Sequence, residues 1–230
     1  MANTAELPPR EKIAAALMQL AGEKAWSEIA IAEVCARAGV TLAEFRESFP
    51  SKGAVLASYA RGIDLKVLAH DGADLKDEPA KERLFDVLMR RLDAMAAEKA
   101  GIAGAMAWAR RDPLAAAGLN QVTLNSMRFM LEAAGIDTEG PLGALKLQGL
   151  AIAWSRVLGV WVKDEDSGLA ATMAALDREL TRGGMFVARA EDLQRLLAPL
   201  HQFGNALCNV RKDMGERMRE RWTPGDNAAT

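Results

Sequence analysis

Cysteine and histidine are scarce, with two of each in 230 residues. Cys35 and Cys208 cannot build a disulfide framework, nor a tetrahedral thiolate zinc site by themselves. Aromatic residues make up 5% of the chain, with a single tyrosine. Neither sign of charge dominates: 29 Lys and Arg stand against 31 Asp and Glu, which excludes a globally basic nucleic-acid coat. No run of 18 apolar residues occurs, so no membrane span is read. The first twenty residues lack a basic start followed by an apolar stretch, so no secretory signal is read and the cytoplasm is the expected compartment. β-Branched residues are also few: Val, Ile and Thr together number 26, against 44 alanines. Alanine is the best helix former and β-branched side chains favour strands, and no segment alternates with period two between turn residues. The expected fold class is all-α, in about nine or ten helices.

Half of the residues are hydrophobic, enough for a sizeable core. Helix signals follow one another along the chain. Pro8-Pro9 opens a helix through Ile13, Leu17 and Leu20, with Gly22 as its stop. A second runs from Ile31 to Ala38 and ends at Gly39. Thr41 and Glu44 have the spacing of a reciprocal capping box, which starts a short third helix with Phe45 and Phe49 on one face. Pro50 stops it, and Ser51 caps a fourth through Val55, Leu56, Tyr59 and Ile63. Further helices are expected after Pro79, from Asp112-Pro113 to Gly135, after Gly140-Pro141, and from Asp166-Ser167 to Gly183-Gly184. A long final one is expected from about Ala188 to Trp222. Residues 1–7 and 223–230 read as disordered tails.

The order helix, Gly turn, short helix, Phe-Pro-Ser-Lys, helix resembles the TetR family of transcription regulators. The matching residues are Val34 to Val40, Phe45, Phe49 to Lys52, and Leu56. The resemblance implies an N-terminal helix-turn-helix head over residues 1–66 and a helical ligand-binding and dimerisation domain over 67–222, with 223–230 as a tail. It implies that Val34, Val40, Phe45 and Phe49 form the small core of the head. Thr41, Leu42, Ala43 and Arg46 would face base edges or flanking phosphates in a DNA operator. Ser51 and Lys52 would hold phosphate at a helix N-terminus, where free N–H groups and the dipole favour an anion. The family usually has Tyr where this chain has Phe45, and a hydroxyl residue where it has Ala30. Residues 1–65 carry seven basic and eight acidic side chains. The family also implies an apolar effector pocket, for which Met106, Trp108, Met127, Met130, Trp154 and Trp161 are the candidates. Arg110, Arg111, Asn120, Asn125 and Arg156 are the polar groups expected to face it or its mouth. A homodimer is expected, through the helices around 141–182.

A second resemblance points elsewhere. Trp26 to Glu33, Asp164 to Ser167, Thr172 and Leu176 to Leu180 are similar to the TetR-fold lipid-binding family of coenzyme Q biosynthesis. That implies a lipid ligand and a head that does not bind DNA, in quinone or isoprenoid lipid metabolism. The apolar stripe Leu193, Leu196, Leu197, Leu200, Phe203, Leu207, Val210, Met214 and Met218, flanked by arginines, fits either a packed helix or one that contacts a membrane through residues 189–221.

Signals for catalysis are weak. His70-Asp71 are adjacent and so do not face each other on a helix. His201 and Cys208 have no further partners. Asp164-x-Asp166-x-Gly168 hints at a calcium loop but lacks its late Glu, with Ala175 in that place. No catalytic constellation, metal site or cofactor motif is read.

Overall fold

The computed structural model describes residues 7–70, 75–139 and 142–185. Among the described residues all regular structure is helical, as the composition predicts. The helices are α1 (Pro9–Glu23), α2 (Ile31–Ala38), α3 (Leu42–Ser48), α4 (Lys52–Leu68), α5 (Ala80–Met95), α6 (Lys99–Ala109), α7 (Pro113–Ala133), α8 (Gly143–Trp161) and α9 (170–185). The expected long helix over 188–222, its apolar stripe and both tails lie outside the described residues.

Local chemistry sets the boundaries. Gly39 adopts φ +66°, the left-handed conformation that glycine takes without a Cβ clash, and Val40 donates its N–H back to the Cys35 carbonyl at 3.0 Å. Gly135 closes α7 in the same way, at φ +68° with the Ile136 N–H on Leu131. At the start of α3 the Thr41 hydroxyl accepts from the Glu44 N–H, and the Glu44 carboxylate accepts from the Thr41 N–H at 2.6 Å. The Asp112 carboxylate accepts the first free amides of α7, ahead of Pro113. α9 is introduced by a turn. Asp164 accepts from the Thr172 amide and hydroxyl, Asp166 accepts from the Gly168 and Ala170 amides, and Leu169 is held at φ +52°. The hydrogen bonds from Thr172 hold the Asp164 carboxyl below the usual carboxylate range. One expected stop is not used: residues 183 and 184 remain helical, because a glycine pair lowers helix propensity without forcing a break.

α1 is the hub, packing on α2, α3, α4 and α6. Its contact with α6 is unusually close. A Cβ built on Gly101 would lie 2.3 Å from the Met18 carbonyl oxygen, and one on Gly104 1.9 Å from that of Ala21. Gly22, expected to stop α1, instead sits one residue inside it and faces Ala100, with 2.9 Å left for a Cβ. These glycines let two helix backbones touch. α4 continues from the head into the body, where it packs on α5 and α7, and α7 packs on α8. The position expected as the boundary, residue 66, therefore falls inside a continuous helix.

Candidate nucleic-acid interface

α2 and α3, joined by the Gly39 turn, form a helix-turn-helix against α1. Val34, Phe45 and Phe49 are buried and Val40 is half-buried. Phe45 and Phe49 meet at 6.2 Å between ring centroids, four residues apart and on the inner face. With those rings inside, the opposite face of α3 is directed outward. Thr41, Leu42, Ala43 and Arg46 are all exposed there, Leu42 at 61%. An apolar side chain left that exposed on a short, capped helix suits contact with a thymine methyl or a sugar.

Two pairs of charges in the head neutralise each other. Arg37 grips Glu23 with both guanidinium nitrogens, at 2.7 and 2.9 Å, and Lys24 pairs with Glu33. These partners hold both glutamates below their ordinary range. Glu44 is lowered by the two hydrogen bonds from Thr41, so its carboxylate is occupied by the cap although it stands on the outer face. Arg46 has no hydrogen-bond or ion-pair partner among the described residues. It is the one cation on α3, beside Glu44 and Glu47.

Lys52 departs from expectation. Its ammonium donates to the carbonyls of Trp26 at 2.8 Å and Ile29 at 2.6 Å, and lies 5.4 Å from the centre of the Trp26 ring. Partial burial pulls its pKa down. It ties the start of α4 to the turn before α2 instead of reaching outward for phosphate. Ser51 accepts from the Ala54 N–H as the cap of α4 and is itself exposed. The positive contribution at this end of α4 is therefore the helix terminus itself. At α2 the cap residue is Ala30, which offers no side-chain acceptor.

Arg10 was not among the expected site residues. It donates to the Ser48 carbonyl at 2.7 Å, at the last turn of α3, and its guanidinium lies over the Phe49 ring at 4.3 Å. A cation at a helix C-terminus complements the dipole. The sequence signal is only an arginine in the first turn of a first helix.

The six expected effector residues do not form one cavity. Met127, Met130, Trp154 and Trp161 are packed in the main core. Met106 is half-buried against it. Trp108 stacks on Trp26, 4.6 Å between centroids and 12° from parallel, and lines a cleft of about 650 Å³ between the end of α1 and α6. Of the polar group read with these six, Arg111 reaches that cleft, and Arg156 pairs with Glu179. A second cleft, of about 610 Å³, lies between α1, α4 and α7, and Asn125 lines it. Deep in the body, Asp64 of α4 pairs with Arg91 of α5, both with Ser126 of α7. Burial lowers the Arg91 pKa and Asp64 acts against that shift. Arg91 lies 5.8 Å from the Trp154 ring. Tyr59, half-buried beside Glu98, is pushed well above its ordinary value and stays neutral.

Chemistry of other kinds finds little support. Burial pushes the Cys35 thiol up, away from nucleophile character. Among the described residues no three His, Cys, Asp or Glu side chains are grouped to hold a metal. No helix among them is long and apolar enough to cross a membrane.

No family model matches the chain, and no curated protein matches it either. Solved structures do. A TetR transcriptional regulator from Nitrosomonas europaea ATCC 19718 is 21% identical with a TM-score of 0.61, over 78% of this chain and 99% of that one. A TetR transcriptional regulator from Rhodococcus sp. RHA1 is 20% identical with a TM-score of 0.55, over 76% of this chain and 95% of that one. The chain has the fold of TetR transcriptional regulators.

Proposed function

We propose that the protein is a ligand-responsive DNA-binding transcription regulator and acts as a cytoplasmic homodimer. The reading is carried by the outer face of α3. A capping box and two buried phenylalanines hold that helix, leaving Thr41, Leu42, Ala43 and Arg46 outward together. A helix of this kind enters a major groove with its first residues toward the base edges. Leu145 and Ile152, seven residues apart on α8, and Met173 on α9 are exposed apolar side chains in the region where the dimer contact is expected. Two heads joined this way would read half-sites a helical turn or more apart. An apolar effector bound to the body shifts the balance between two arrangements of the dimer, and so changes affinity for the operator. The test is a gel shift with DNA from upstream of the protein's own gene. Retardation that Arg46→Ala weakens supports the reading, and no retardation at low salt contradicts it.

One observation favours the second reading, a lipid-binding protein whose head has no DNA to read. The α3 face carries one unpaired cation against Glu44 and Glu47, and Lys52 faces inward. Most nonspecific DNA affinity comes from neutralised phosphates, which such a face supplies poorly. Absence of DNA binding, together with vesicle flotation lost on deleting residues 189–230, would decide for it.

A further inference from the structure

We propose that the cleft between α1, α4 and α7 binds a monomeric fatty carboxylate, and that its head group acts on α3 through Arg10. The second part rests on the reading of α3 as the DNA-contacting helix.

α4 supplies the floor and one wall through Ala54, Ala57, Ser58, Arg61, Asp64, Leu65 and Leu68, which recur every three or four residues. At 1.5 Å per residue this face runs for roughly 20 Å. Val122, Asn125, Ser126 and Phe129 of α7 form the other wall, and Arg10 of α1 stands at the head end. The volume, about 610 Å³, is that of a small-molecule site. Three large apolar side chains are left in water along it: Leu65 at 60%, Phe129 at 52% and Leu68 at 37% exposure. They lie toward the far end of α4 from Arg10. An alkyl chain laid there would release water from all three.

The charge along the cleft selects the head group. Arg10 and Arg61 are its cations, and Arg61 has no hydrogen-bond or ion-pair partner among the described residues. The only carboxylate lining it is Asp64, which is buried and already bound by Arg91 and Ser126. An anion therefore meets two cations and no free carboxylate. A cation would meet the reverse, and a neutral alcohol would leave the arginines uncompensated.

Arg10 gives the cleft a route to α3. The same guanidinium that borders it donates to the Ser48 carbonyl and covers the Phe49 ring. A carboxylate competes for that guanidinium more strongly than a backbone carbonyl does, because the hydrogen bond becomes charge-assisted at both ends. Binding withdraws the cation from the last turn of α3 and loosens it.

The test uses the full chain with decanoate and decanol, by calorimetry, and hydrogen exchange at the amides of residues 46–49. Decanoate is expected to bind at least about fivefold more tightly than decanol, the size of a partly shielded ion pair. Arg61→Gln lowers decanoate affinity by a similar factor and leaves decanol unchanged. Leu65→Ser weakens both. Both residues are exposed, so the fold is kept. Decanoate speeds exchange at residues 46–49 in the parent chain but not in Arg10→Gln. Equal binding of decanoate and decanol, or no effect of Arg61→Gln, overturns the site. Binding only to phosphatidylglycerol vesicles and not to the monomer overturns it too. Tight binding with unchanged exchange overturns the route through Arg10. None of these measurements involves DNA, so they fail or succeed independently of the DNA-binding reading.

Discussion

The two sides of α1 differ in how firmly they hold the head to the body. Toward α6 the backbones touch through Gly101 and Gly104, and the Trp26–Trp108 stack and the Lys52 ammonium close the end of the contact. Toward α4 and α7 the helices part into a cleft, with Leu65 and Phe129 in water and Arg10 bridging its head end to α3. One side is fixed where the α1 and α6 backbones meet at Gly101 and Gly104, beside a cleft of about 650 Å³. The other works by a few polar contacts that a ligand can replace.

The largest effect expected from breaking this contrast is at the polar core behind the open side. Asp64→Ala leaves Arg91 buried without its counter-charge and should cost about 3–5 kcal/mol in urea unfolding. At the closed side, Gly104→Val places a side chain where a Cβ already falls 1.9 Å from a carbonyl oxygen. It should cost about 3 kcal/mol, at the upper end of overpacking. The same change at Gly62, where a Cβ meets nothing within 4 Å, should be neutral or stabilising by roughly a few tenths of a kcal/mol, since valine is the better helix former. Equal losses at the two glycines would show that α1 and α6 do not approach as described. Trp108→Ala removes half of the stack and should cost about 2 kcal/mol, less than a fully buried tryptophan. It should also open the Trp26 ring to water and red-shift its emission.

Smaller effects sharpen the picture of α3. Thr41→Ala removes the cap and should cost about 1 kcal/mol. Glu44 is held below its ordinary pKa when folded, so the stabilisation is complete above the unfolded value and is lost as pH falls through the folded one. Acid unfolding curves of Glu44→Gln should therefore lack that part of the pH dependence, whereas Thr41→Ala should keep most of it because the backbone N–H of residue 41 still reaches the carboxylate. Arg46→Ala, at an exposed and unpartnered residue, should change stability by about 0.5 kcal/mol at most.

What was legible in the sequence follows the range of the forces involved. α2, α3 and α4 are marked by Gly39, the Thr41 and Glu44 pair, and Ser51, all of which act within a few residues, so the limits of α2 and the starts of α3 and α4 were readable to the residue, while the ends of α3 at Ser48 and of α4 at Leu68 were not. α6 was not read as a helix. Its Ala- and Gly-rich stretch has no cap signal, and Gly101 and Gly104 look like breakers until α1 is placed against them. The residues that share the outer face of α3 were readable because that helix has a two-phenylalanine inner face. The inward turn of Lys52 was not, since its acceptors lie more than twenty residues away. The apolar Trp and Met residues marked the body correctly but mostly as core. The open cleft is lined instead by Leu65, Leu68 and Phe129, whose exposure depends on how α4 meets α7.

The most direct test of the account is the salt dependence of DNA binding by the full chain, followed by fluorescence anisotropy on its own upstream DNA. The account predicts that log K falls with log salt, and that Arg46→Ala weakens binding while lowering the slope by about one. Binding that is absent at low salt, or present with a slope that Arg46→Ala leaves unchanged, would contradict the assignment of α3 as the helix that meets DNA.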